Sequence, residues 1–114
     1  MDIFSKLLKS CGSDKDRREH AEELFIQARN AALIEDDDET AIRLYEESLE
    51  YYDDPAPYQG IAAIYLSRGM FRDAIELATI SKKKWLQMYP DRPDLPLILQ
   101  QCDFIIEQAK CYLS

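Results

Sequence analysis

The stretches 21–54 and 55–90 read as two copies of one helix–turn–helix unit. No other feature constrains the fold as much, because a repeated hairpin leaves an apolar side that only a neighbouring hairpin or cap can cover. In the second copy Tyr58, Ile61, Ala62, Tyr65, Gly69, Phe71, Ala74 and Ala78 fall at helical intervals. In the first, Leu24, Ala28, Ala31, Ala41, Tyr45 and Ser48 recur at comparable places, and Ala41-Ile42 and Ala74-Ile75 open the second helix of each copy.

Residue patterning places five main helices. Ser13 or Asp14 caps the first, which runs over 15–34 with Ala21, Leu24, Phe25, Ala28, Ala31 and Ala32 repeating at three and four. The acidic run 35–39 holds a turn and then the start of the second helix, where carboxylates favour the positive end of the helix dipole. Ala41, Ile42, Leu44, Tyr45, Ser48, Leu49 and Tyr52 form the apolar side of that helix. Asp54 caps the third, with Pro55 in its first turn, and the helix runs to about Ser67. Gly69 supplies the positive φ of a tight connection, and Phe71 to Met88 is the fourth helix. After 89–93, Asp94 caps the fifth, which carries Ile98, Cys102, Ile105, Ile106, Ala109, Tyr112 and Leu113. The segment 1–14 contributes a short amphipathic turn with Ile3, Phe4, Leu7 and Leu8 on one face. The expectation is a single all-α domain over 1–114, with 15–54 and 55–90 as repeats and 94–114 as a capping helix.

Charge narrows the partners. Residues 1–57 hold 7 Lys/Arg against 16 Asp/Glu, whereas 58–114 hold 7 against 6. A nucleic acid is not expected, since nothing would neutralise its phosphates, while a basic patch on a partner protein would be drawn to the N-terminal half. Cys11, Cys102 and Cys111 are an odd number without a close pair, which suits reduced thiols in a reducing compartment. No apolar run reaches the ~18 residues of a membrane span, and 1–12 lacks a signal peptide's continuous apolar region. A cytoplasmic location follows as the expectation, with membrane attachment through Ile3, Phe4, Leu7 and Leu8 the weakest alternative.

On these residues the chain resembles the tetratricopeptide repeat (TPR) family, whose hairpins are about 34 residues long. The second copy carries the resemblance best, through Tyr58, Ile61-Ala62, Tyr65, Gly69, Phe71, Ala74 and Ala78. The first departs from the pattern: Leu24 replaces the early aromatic, Gln27 stands where an apolar residue is usual, the turn lacks Gly, and the acidic stretch holds one extra residue. The resemblance implies antiparallel hairpins stacked as a short right-handed superhelix, with the fifth helix in the role of a third repeat's first helix. It also implies a concave groove lined by first helices. Carried onto this chain, that groove comprises Glu22, Phe25, Arg29, Ala32 and Leu33 from the first copy. From the second it comprises Ala56, Gln59, Ala63, Leu66 and Ser67. Arg29 would pair with a carboxylate while Phe25 and Leu66 make apolar contacts. The family's clamp for chaperone C-terminal carboxylates is not supported, because Phe25, Arg29 and Gly60 stand at the matching places.

Few residues suggest chemistry. His20 is the only histidine and sits in a charged helix start with no nucleophile motif beside it, a pattern that suits a solvated helix residue. The acidic run 35–39 lacks the ligand alternation and turn glycine of a calcium loop. Lys82, Lys83 and Lys84 spread around a helix rather than forming a patch, and Trp85 beside them suits a core position. No glycine-rich phosphate loop exists, so neither cofactor, metal nor enzymatic activity is expected.

The functional expectation is a non-catalytic adaptor or scaffold that binds a peptide or helix of a partner protein in the groove. One alternative is a self-assembling module dimerising through its terminal helices. Leu99, Ile106 and Leu113, spaced by seven, form a stripe placed on the side away from Cys102, covered either by the N-terminal segment or by a second subunit. Another alternative is a small acidic chaperone for one dedicated client.

Overall fold

The computed structural model describes residues 13–114, which contain five α-helices and no strand. They are α1 (Asp14–Leu33), α2 (Asp38–Tyr51), α3 (Pro55–Ser67), α4 (Phe71–Met88) and α5 (Leu95–Leu113). Ile3, Phe4, Leu7, Leu8 and Cys11 lie outside the described residues. The chain divides into two compact units between Asp53 and Asp54, so α1 and α2 form one and α3, α4 and α5 the other.

Three of the five helices begin where a side chain satisfies one of the first free N–H groups, while α4 follows Met70 without a side-chain cap. Ser13 accepts from the Asp16 amide at 3.1 Å, Asp37 from Thr40 at 3.1 Å, and Asp54 from Ala56 at 3.1 Å. The Thr40 hydroxyl also donates to Asp37, and these bonds hold the Asp37 carboxyl below the usual carboxylate range. Asp94 departs from the expected cap. It stands at the N-cap position of α5, yet its carboxylate bonds no backbone amide and takes the Arg92 guanidinium instead, Nε to Oδ1 at 2.5 Å. That hydrogen bond lowers the Asp94 pKa and raises that of Arg92.

In the first unit α1 and α2 run antiparallel. Ala21, Leu24 and Tyr51 form a buried cluster with Leu44 and Tyr52 against it, and Ala28 and Ala41 are wholly buried. The Ser48 hydroxyl, itself buried, donates to the Ala21 carbonyl at 2.9 Å and ties the two helices together.

The second unit repeats this hairpin and adds α5. Ala62 and Ala74 are wholly buried, and the Ser81 hydroxyl donates to the Pro55 carbonyl at 2.9 Å. The offsets between copies are regular: 34 residues on first helices (Ala28 to Ala62, Ala21 to Pro55) and 33 on second helices (Ala41 to Ala74, Ser48 to Ser81). The difference lies in the turns, which span four residues after α1 and three after α3. One extra residue in the acidic turn therefore accounts for the shift of register. α5 packs along α4 and α3, burying Leu95, Cys102, Ile105 and Ala109. Two clusters result, Trp85 with Leu95 and Cys102, and Ala62, Ala74 and Ala78 with Ile105 and Ala109.

Leu99 and Ile106 do not lie away from Cys102. Leu99 packs half-buried against the Trp85–Cys102 cluster, and Ile106 against the cluster that contains Ile105. The two stand three residues before and four after Cys102, spacings that share one face of a helix. Leu113, at the helix end, is exposed.

Candidate functional site

On the first hairpin the groove candidates all belong to α1. Glu22, Arg29 and Leu33 are exposed, Leu33 to 78%, while Phe25 and Ala32 are half-buried. Phe25 owes its position to α2, since its ring lies 5.6 Å from that of Tyr45. The Arg29 guanidinium sits 5.8 Å from the Phe25 ring centroid, which orients the cation along an aromatic face. Ile26 and Ile34 extend this exposed apolar surface, at 40% and 78%. Sequence reasoning left both out, although Ile26 stands seven residues before Leu33 and so falls on the same side of the helix.

On the second hairpin the structure treats the candidates differently. Ala63 and Ser67 are exposed, the Ser67 hydroxyl donating to the Ile64 carbonyl at 2.8 Å. Ala56, Gln59 and Leu66 instead face neighbours within their own unit. Ala56 packs half-buried on the Trp85, Leu95 and Cys102 cluster, and Leu66 on the Ala62 cluster. Gln59 is bonded at both ends of its amide: Trp85 Nε1–H donates to its Oε1 at 3.0 Å, and its Nε2 donates to Gln101 Oε1 at 3.2 Å. The fifth helix thus takes up part of the α3 surface that a partner would need.

The other singled-out residues have structural partners. His20 lies edge-on to Tyr51, ring centroids 4.4 Å apart, with Nδ1 3.7 Å from Glu23. Lys82 pairs with Asp103 at 2.6 Å, and the Lys84 ammonium lies 5.7 Å from the Tyr58 ring centroid. Trp85 is buried, its face covered by the Arg92 guanidinium at 5.3 Å. In the acidic turn Asp36 takes a positive φ and Asp37 caps α2. Among the described residues no three His, Cys, Asp or Glu side chains come together as a metal would require.

One concavity lies on the acidic unit, a shallow cleft of about 550 Å³ on α2. Glu39, Glu46, Glu47 and Glu50 line it with Ile42 and Arg43, and Arg43 reaches Glu47 at 3.9 Å. Burial pushes the Cys102 thiol and the Tyr45 hydroxyl up from their ordinary pKa values, so both stay protonated at neutral pH. No helix among the described residues is long and apolar enough to cross a membrane. Compared with known proteins, the chain matches no family model, no curated protein and no solved structure.

Proposed function

We propose that the chain is a non-catalytic protein-binding module of tetratricopeptide type that engages a peptide or helix of a partner. The hairpin repeated at offsets of 34 and 33, with wholly buried alanines and an inter-helix serine bond at matching positions, carries this reading. Hairpins of that design present their first helices to ligands. On α1 the exposed Arg29, Ile26 and Leu33 and the half-buried Phe25 suit an extended segment bearing a carboxylate, with Arg29 as the cation and the others as apolar contacts. On the second hairpin Ala63 and Ser67 are the candidates that stay exposed.

Affinity capture from native lysate, followed by mass spectrometry, tests the reading. Wild-type protein is expected to retain a defined partner that the Arg29→Glu and Leu33→Glu variants lose, with helical content unchanged by circular dichroism. Equal capture by well-folded variants would place binding elsewhere.

A further inference from the structure

α5 shows an outward face whose composition is unlike the rest of the chain. Leu97, Phe104 and Cys111 lie along it at seven-residue spacing, all exposed, Phe104 to 61% and Leu97 to 57%. Between them stand Gln100, Gln101, Glu107 and Gln108. Only one of these seven residues is charged, in a chain of which 32% is charged, and depletion of charge marks the centre of an interface. The core-facing residues Cys102, Ile105 and Ala109 are on the other side, and Leu97, Phe104 and Cys111 belong to neither core cluster, while Gln101 reaches Gln59 at the edge of the face.

We propose that this face binds a second copy of the chain, with the two α5 helices antiparallel and crossing at Phe104. The order of residues argues for self-association over a foreign ligand. Read outward from Phe104 in either direction, the face presents polar side chains and then one apolar residue at the seventh position, Leu97 or Cys111. An antiparallel two-fold contact therefore sets apolar against apolar and polar against polar, because each residue meets its mirror position. Leu97 then lies opposite Cys111 of the second copy, Gln100 opposite Gln108, and Phe104 opposite itself. Gln101 lies opposite Glu107, and with its Oε1 accepting from Gln59 its amide N–H groups are the ones that can donate to that carboxylate. No two charges of like sign oppose one another. Net charge agrees: residues 54–114 hold 7 Lys/Arg and 7 Asp/Glu, so contact through this unit avoids the repulsion that the acidic first unit would impose. A single 19-residue helix is about 28 Å long. Its face buries less than the ~1,200 Å² of stable complexes, so the dimer is weak.

Sedimentation equilibrium of the full chain, with Cys11→Ser to simplify thiol chemistry, tests this from about 10 µM to about 1 mM, a range suited to a small interface. The mass is expected to climb from 13.3 kDa towards twice that value. Phe104→Glu, which sets two carboxylates against each other at the axis, is expected to weaken association at least about tenfold. Leu97→Glu should do the same from the ends of the face. Oxidation of Leu97→Cys is expected to give a covalent dimer through Cys111 of the second copy. Two native Cys111 thiols would be about 21 Å apart along the pair and stay unlinked, as would positions 97 and 111 of one chain. A monomer at every concentration overturns the proposal, and so does a dimer indifferent to Phe104→Glu and Leu97→Glu. A native Cys111–Cys111 link overturns it as well, since it would report parallel helices.

Discussion

Ser48 and Ser81 hold equivalent places in successive hairpins and do the same work. Each is almost wholly buried on a second helix and donates to a carbonyl in the first helix, at 2.9 Å in both cases. Serine fits because the helices approach too closely there for a larger side chain, and the local acceptor removes the cost of burying a hydroxyl. Replacement by Ala keeps the space filled to within one atom while the carbonyl keeps its place in the helical ladder. Ser48→Ala and Ser81→Ala are each expected to cost about 1 kcal/mol in urea unfolding, and the double variant close to the sum. Ser→Val at either site should cost more, through overpacking. Cys102 touches Ser81, its thiol 3.9 Å from the hydroxyl, and is wholly buried, which holds it protonated. The unfolded chain ionises this thiol above about pH 8.5 while the folded chain does not. Its stabilising contribution is therefore complete below that pH and is lost as pH rises towards the folded pKa. Unfolding followed by Trp85, the only tryptophan, should show stability falling more steeply above pH 8.5 in wild type than in Cys102→Ala. Parallel slopes would remove the explanation. Tyr45, raised by the same cause, adds to the loss at higher pH in the first unit.

Helix boundaries were largely legible in sequence, because the signals that set them are local. Pro55 and Asp54, Gly69, and the break around Pro90 and Pro93 mark ends that a chain of this composition cannot place elsewhere. What was hidden depends on neighbours. Asp94 carries a cap's sequence signature, but two residues earlier Arg92 offers a stronger, charge-assisted partner. Gln59 reads as a surface amide until the Trp85 indole and Gln101 are found beside it. Spacing by seven put Leu99 and Ile106 on the outer side of α5, but Leu97 and Phe104 also recur at seven, and a heptad spacing alone does not say which row faces the core. Cys102 decides it, being buried three residues after Leu99 and four before Ile106, but five after Leu97.

The two turns make a matched pair for experiment. Gly69 has φ 79° in the shorter turn, and Asp36 has φ 53° in the longer one. A Cβ on Gly69 would meet nothing closer than the Phe71 ring at 4.0 Å, so the backbone angle alone opposes substitution. Gly69→Ala is expected to destabilise the second unit by about 1 kcal/mol, while Asp36→Gly stabilises the first by about 0.5 kcal/mol. Urea titrations read by Trp85 fluorescence and circular dichroism distinguish the two. Equal and small effects at both sites would show that φ is not the controlling term.

At the scale of the whole molecule the charge of −8 resides entirely in residues 1–53, which hold 7 Lys/Arg against 15 Asp/Glu, while 54–114 are balanced. Self-repulsion is therefore concentrated in a two-helix unit, and α2 bears much of it along Glu39, Glu46, Glu47 and Glu50 with only Arg43 between them. Shortening the Debye length from about 30 Å to about 4 Å by raising salt from roughly 0.01 M to 0.5 M should relieve that strain. The melting temperature, followed by circular dichroism, is expected to rise by a few degrees over this range. Glu46→Gln should raise the low-salt value and shallow the slope. A flat or falling curve would mean that the paired carboxylates, such as those of Asp14 with Arg17 and Glu47 with Arg43, outweigh the repulsion. The same field acts in the opposite sense on binding, because an acidic unit draws a basic partner surface most strongly at low salt. Salt that steadies the first hairpin should therefore weaken capture of a basic partner and leave contact between the neutral second units unchanged. That difference in response allows ligand binding and self-association to be told apart in one titration.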